Sequence, residues 1–129
     1  MKINLPLTIT IPRKTKADKV FHLNLNTYRN TYFMVLNQAK TLFKDAIGLP
    51  DDVLDSPPYK FTYTVYPANK RSFDIANVCS IVDKFCCDAL VEAGLIKDDN
   101  HKHIPIVVYQ IGHVDPDNPR CELEVEKIG

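Results

Sequence analysis

Residues 59–111, YKFTYTVYPANKRSFDIANVCSIVDKFCCDALVEAGLIKDDNHKHIPIVVYQI, hold the clearest alternation of patterns in the chain. Tyr59 to Tyr66 alternates aromatic and β-branched residues with polar ones, the period-two signature of a strand. Pro67 to Ser72 turns the chain. From about Ile75 to Ala93 the apolar residues Val78, Ile81, Val82, Phe85 and Ala89 recur at i, i+3, i+4 spacing, which predicts a helix ending at Gly94. Asp98-Asp99-Asn100 reads as a loop, and Ile104 to Ile111 as the next strand.

Working outward, Ile3, Leu5, Leu7 and Ile9 alternate with polar residues and predict an N-terminal strand. Pro6 places that strand at an edge or beside a bulge, because proline has no N–H to give to a ladder. A short apolar segment, Val20 to Leu25, is followed by a helical pattern over about Thr27 to Ile47. Asn26 or Thr27 is a candidate cap for it, and Gly48 and Pro50 end it. Residues 49–58 carry three prolines and three aspartates and read as a surface loop. A last strand is expected at Cys121 to Glu126. The order β, (short β), α, β, α, β, β predicts one α/β (α+β) domain over residues 1–129, a mixed sheet with two helices on one face.

The chain of 129 residues is 45% apolar and 25% charged, ordinary values for a folded domain, with no run long enough to span a bilayer. Met1 to Pro12 alternates instead of forming an apolar block, so no signal peptide is read and a cytoplasmic location is expected. Cys79, Cys86, Cys87 and Cys121 include no C-x-x-C pair, and they read as reduced, half-buried thiols, not zinc ligands. Net charge is zero, but residues 1–70 hold ten Lys/Arg against five Asp/Glu, and residues 71–129 hold six against eleven. That segregation suits an enzyme gripping phosphate with one part and a cation with the other; a solvated surface of mixed charge accounts for it equally.

The chemistry-bearing residues cluster between Lys70 and Lys102. Asp74 stands where a strand gives way to a helix, Lys84 lies on that helix, and Asp98-Asp99 follow it. Clustered carboxylates are what a hard divalent cation requires, and a nearby ammonium offsets charge developing on phosphate. An aspartate before a helix is also an ordinary cap, and D-D-N an ordinary turn.

The patterns F-D-I-A-N (Phe73–Asn77), K-F-C-C-D-A-L (Lys84–Leu90) and A-G-L-I-K-D-D-N (Ala93–Asn100) resemble the signature of the RusA family of Holliday-junction resolvases. That signature runs approximately D-x-D-N, K-x-x-x-D-A-L, then A-G and a D-D pair. The resemblance covers most of the chain, with its motif-rich part about thirty residues long. It implies a homodimeric, magnesium-dependent endonuclease, with manganese as an alternative ion, acting on branched DNA in recombination and repair; a phage origin suits the family. It also implies Asp74, Asp99 and Lys84 as catalytic residues, Asp74, Asp98 and Asp99 as metal ligands, and a site role for Asn77. The chain departs in two places. Ala76 stands where the family has its second aspartate, and the segment from Asn77 to Asp88 is four residues longer, about one helical turn.

At 100° per residue, Asn77, Lys84 and Asp88 fall near one line on the flank of the apolar stripe, and Asp83 falls on the solvent side. Lys84 lies roughly 15 Å beyond Asp74 along a straight helix, so it serves another part of the site or the partner's site across a two-fold axis. A Lys84–Asp88 ion pair on a wet face is the alternative. Arg13, Lys14 and Lys16, with Asn26, Arg29, Lys70 and Arg71, are candidate DNA contacts: cations for phosphate and amides for hydrogen bonds. His101 and His103 are candidates for a softer ion, or solvent-exposed bystanders.

Overall fold

The computed structural model describes residues 1–129. Its element order is β1 (Lys2–Leu5), β2 (Thr8–Ile11), β3 (Lys19–His22), α1 (Leu25–Arg29), α2 (Phe33–Ala46), β4 (Tyr59–Tyr66), α3 (Ile75–Glu92), β5 (Ile106–Ile111) and β6 (Arg120–Lys127). A mixed four-stranded sheet runs in the order β1-β6-β4-β5, and β2 and β3 form a separate antiparallel hairpin. The α/β reading with a mixed sheet therefore holds. A short helix, α1, precedes the two long ones, and six strands occupy two sheets.

Two expected elements are each cut in two, for local reasons. The N-terminal strand breaks after Leu5: β1 pairs with β6 at the sheet edge, and β2 pairs with β3. Pro6 sits at the break, with no N–H for either ladder. The expected helix over 27–47 becomes α1 and α2. Asn24 caps α1, its Oδ1 accepting the Thr27 N–H at 2.8 Å. Asn30 Nδ2 then donates to the Asn26 carbonyl at 2.9 Å, and Thr31 Oγ1 donates to the Thr27 carbonyl. The Asn30 N–H still bonds the Asn26 carbonyl at 3.2 Å, but the Thr27 carbonyl takes the Thr31 hydroxyl instead of a backbone N–H, and the helix stops and restarts at Phe33.

The sheet buries one face. Ile3 and Leu5 of β1, Cys121, Leu123 and Val125 of β6, and Tyr59, Phe61, Tyr63 and Val65 of β4 all point into the core. Register places Ile3, Leu123, Tyr63 and Tyr109 side by side across the four strands. The other face carries Lys2, Lys60, Glu122, Glu124 and Glu126. One dry face and one wet face is what alternating sequence in a one-sided sheet produces.

Helix α3 is sandwiched between layers. It packs on β4 and β5 with one side and on α1 and α2 with the other. Phe85 meets Phe43 of α2 edge-on at 5.6 Å and Phe21 of β3 at 5.8 Å. Lys40–Asp88 at 3.6 Å and Lys44–Glu92 at 3.2 Å stitch α2 to α3. Asp88 thus pairs with Lys40, and Lys84 makes no ion pair. No helix is long and apolar enough to cross a membrane.

Candidate functional site

Whether the expected acidic residues meet depends on how α3 ends. Gly94 adopts φ +76°, a left-handed conformation that costs glycine little. Its N–H bonds the Val91 carbonyl at 3.0 Å, and the Leu95 N–H bonds the Leu90 carbonyl at 2.9 Å. This paired capping arrangement reverses the chain. Leu95, Ile96 and Ile104 are buried and pin the returning loop against the helix. Asp99 is thereby carried back alongside the middle of α3, where it lines a cavity of about 320 Å³ with Ser80, Asp83, Lys84, Cys87, Ile104 and Val107.

Asp74 is elsewhere. It is the exposed N-cap of α3, its Oδ1 accepting the Ala76 N–H at 3.0 Å. Nine residues of helix separate it from Asp83, about 14 Å at 1.5 Å per residue. The expected metal set of Asp74, Asp98 and Asp99 is not gathered: no three Asp, Glu, His or Cys side chains come close enough to hold an ion. The physical reason is the length of the helix. The loop after Gly94 folds back only as far as the Ser80–Cys87 turns, and Asp74 lies further along.

Asp98 shapes the loop. Its Oδ1 accepts the Asp99 N–H at 2.7 Å, and its Oδ2 accepts from Asn100 Nδ2 at 2.9 Å. The Asp99 backbone N–H, first among several donors, holds the Asp98 carboxyl below its usual range. Asp99 moves the other way, raised by partial burial and by the adjacent Asp98. Asn100 Oδ1 in turn accepts the Lys102 and His103 N–H groups, and it lies 2.9 Å from His103 Nδ1. His101 is exposed.

The expectation that Asp83 faces solvent is overturned. It is half-buried beneath α3, where Tyr63 Oη donates to its Oδ1 at 2.7 Å and Tyr109 Oη to its Oδ2 at 3.0 Å. Cys87 Sγ adds a third donor to Oδ1 at 3.2 Å. The stripe from Val78 to Ala89 is only the side of α3 that meets the other helices. A second buried arc, Cys79, Cys86, Cys87 and Leu90, faces the sheet, and Asp83 falls within that arc. A helix covered on two sides buries more of its circumference than one stripe reveals. The four cysteines, expected half-buried, are all free and buried.

This network carried a faint sequence signal. Alternation along Tyr59–Tyr66 puts Tyr63 inward with Phe61 and Val65, and a buried phenol needs an acceptor. Burial, followed by the charge of nearby groups including Asp83, keeps both the Tyr63 and Tyr109 phenols protonated, so they remain donors. Burial and the Asp83 charge likewise push the Cys87 thiol far above its ordinary value.

The remaining expected residues lie on α3, on α1 and on two connecting segments. Asn77 Oδ1 accepts the Leu25 N–H at 3.0 Å, which anchors the start of α1 to α3. Asn26 and Arg29 are exposed on that anchored helix. Lys70 and Arg71 lie just before α3 and line an open cleft with Phe73, Ile111, Gly112 and Val114. Arg13, Lys14 and Lys16 are exposed on the loop joining β2 to β3, where Arg13 Nε donates to the Ala17 carbonyl at 2.8 Å.

The cavity beside Asp99 fits a hard cation in donor chemistry. Two carboxylates line it with one ammonium, and Ser80 Oγ is sealed from solvent without a hydrogen-bond partner. Magnesium commonly takes only one or two protein carboxylates, with water and substrate phosphate completing its shell. The chain matches no family model and no curated protein.

Proposed function

We propose that this chain is a RusA-like, magnesium-dependent endodeoxyribonuclease that nicks four-way DNA junctions as a symmetric homodimer in the cytoplasm. One observation carries the reading: Lys84 and Asp99, two residues to which the family resemblance gives catalytic roles, line the same cavity although fifteen positions separate them. When bound, magnesium supplies Lewis acidity toward a phosphodiester oxygen and an attacking water. Asp99 would hold the cation. Lys84 has no carboxylate partner to neutralise it, so its ammonium is free to offset charge on the phosphate. Lys70, Arg71, Arg29 and the Arg13–Lys16 loop hold backbone phosphates, which confers grip without base specificity. Two-fold symmetry supports the same chemistry, since matched nicks on opposing strands resolve a junction.

A second reading has its own observation. Asp74 is engaged as a helix cap and Ala76 offers no carboxylate, which favours a module that grips branched DNA without cutting it. A labelled four-way junction and a matched duplex, with magnesium and then with chelator, separate the two. The nuclease reading expects paired nicks in the junction alone, lost with chelator and in Asp99→Asn. Tight, salt-sensitive junction binding with intact strands favours the binding module. Equal affinity for junction and duplex, with no nicks, refutes both.

A further inference from the structure

The nuclease reading needs a second oxygen ligand, because Asp74 caps the far end of α3, about 14 Å along the helix from Asp83, and Ala76 has none to offer. We infer that Asp83 is that ligand, and that Tyr63 and Tyr109 are positioning residues that aim its carboxylate at a hard divalent cation. The inference rests on the reading above and extends it to a residue outside the family resemblance.

Three features support it. Tyr63 and Tyr109 are direct neighbours in the parallel β4–β5 register, so their phenols reach the same carboxylate from adjacent strands. Such a clamp fixes the rotamer of Asp83, as ligand-orienting hydrogen bonds do in metal sites. A carboxylate has about four acceptor positions. Tyr63 and Cys87 occupy two on Oδ1, and Tyr109 occupies one on Oδ2, leaving Oδ2 with a vacant direction.

Charge is the second feature. Asp83 is half-buried yet takes part in no ion pair, and the cavity it lines holds Asp99 as well, against the single Lys84. Its three hydrogen bonds offset part of the cost of half-burying that charge, and no cationic side chain pairs with it to offset the rest. A cation removes that cost. Ser80 Oγ, sealed and unpartnered one helical turn before Lys84, is the third. Its residue lines the cavity, and the hydrogen-bonding capacity of its hydroxyl is unspent.

The chain has no tryptophan, so tyrosine is its only strong near-ultraviolet emitter. Terbium(III), a hard oxygen-seeking ion, becomes luminescent when bound within energy-transfer range of an excited tyrosine. The full chain without DNA is titrated with terbium under tyrosine excitation, then with magnesium or manganese as competitor. The native protein is expected to give emission that magnesium displaces. Asp83→Asn and Asp99→Asn each weaken terbium binding by more than tenfold, Tyr109→Phe weakens it by about tenfold, and Asp74→Asn leaves it unchanged. Asparagine still caps a helix, so the last variant keeps its fold. Should Asp83→Asn fail to fold, Tyr109→Phe, which keeps the carboxylate, decides the matter. No magnesium-displaced emission from the native protein, native affinity in Asp83→Asn or Tyr109→Phe, or loss in Asp74→Asn overturns the assignment. Terbium bound through Asp83 by a protein that leaves junctions uncut would retain the cation site and refute the nuclease. Junction cutting with native terbium affinity in Asp83→Asn would do the reverse.

Discussion

Replacing Tyr63 by phenylalanine removes one oxygen and nothing else, and the structure allows its cost to be worked out. The phenol is fully buried, donates to Asp83 Oδ1 at 2.7 Å, and has no second strong acceptor, since Cys87 Sγ is 3.9 Å away. A hydrogen bond to a charged group contributes about 1.5–3 kcal/mol, and its loss strands part of a half-buried carboxylate. Asp83 borders a cavity that water can enter, so some of that loss is recovered; the lower half of the range, about 1.5–2 kcal/mol, is expected. Urea unfolding followed by far-ultraviolet circular dichroism measures it as a lower midpoint with unchanged slope. Tyr109→Phe, at a more exposed position, should cost about 1 kcal/mol or less. Because the two phenols share one carboxylate, the double variant should deviate from additivity by more than about 0.5 kcal/mol. In an Asp83→Leu background, most of the Tyr63→Phe cost should vanish. A Tyr63→Phe midpoint matching native protein, or an undiminished cost without Asp83, would show that the carboxylate is not held as described.

Phe85→Ala should destabilise by about 3–5 kcal/mol, because this buried ring joins Phe21, Phe43 and Tyr28; a urea midpoint shift well under half of that would contradict the aromatic junction. Asn77→Ala removes the anchor of α1 and should cost about 1 kcal/mol of stability while leaving terbium affinity native; a loss of affinity at unchanged stability would instead give Asn77 a direct part in the site. Stability should also fall in alkali. Burial pushes the Cys86 thiol up to about 12 and Cys87 higher, and the hydrogen bond to Cys79 together with burial raises Cys121. Unfolded thiols lose their protons above their ordinary value of 9.0, while the folded ones keep theirs, so the unfolded state binds fewer protons and gains ground as pH rises. Each thiol then contributes a loss approaching 1.4 kcal/mol per pH unit, roughly, above about pH 9; urea midpoints that stay level between about pH 8 and pH 10.5 would refute the burial of these groups.

The strand at Tyr59–Tyr66 and the helix from Ile75 were legible to the residue at their starts, and the last two strands to within two residues, because they rest on periodicity. Side chains repeating every two or 3.6 positions must present one face to a core whatever surrounds them. Pro6 left an edge or a bulge open for the first strand, and the sheet places β1 at the edge. The breaks at Leu5–Thr8 and Asn30–Tyr32 were harder to read, since each depends on which partner takes a backbone group, a local competition that periodicity does not record.

The site divides in the same way. That Lys84 and Asp99 carry chemistry was an expectation from residue order and spacing. Their sharing one cavity, with Asp74 left outside as a cap, was decided by the left-handed turn at Gly94 and by how far the loop anchored by Leu95, Ile96 and Ile104 runs back along α3. The place of Asp83 was decided only in three dimensions. A sequence shows one apolar stripe per helix, but α3 is covered by helices on one side and by the sheet on another. Whether a carboxylate between those faces meets water or two tyrosines depends on strands twenty residues before it and twenty-six after it. Periodicity is local and survives in one dimension; the partner of a buried charge is non-local and exists only once the layers have packed.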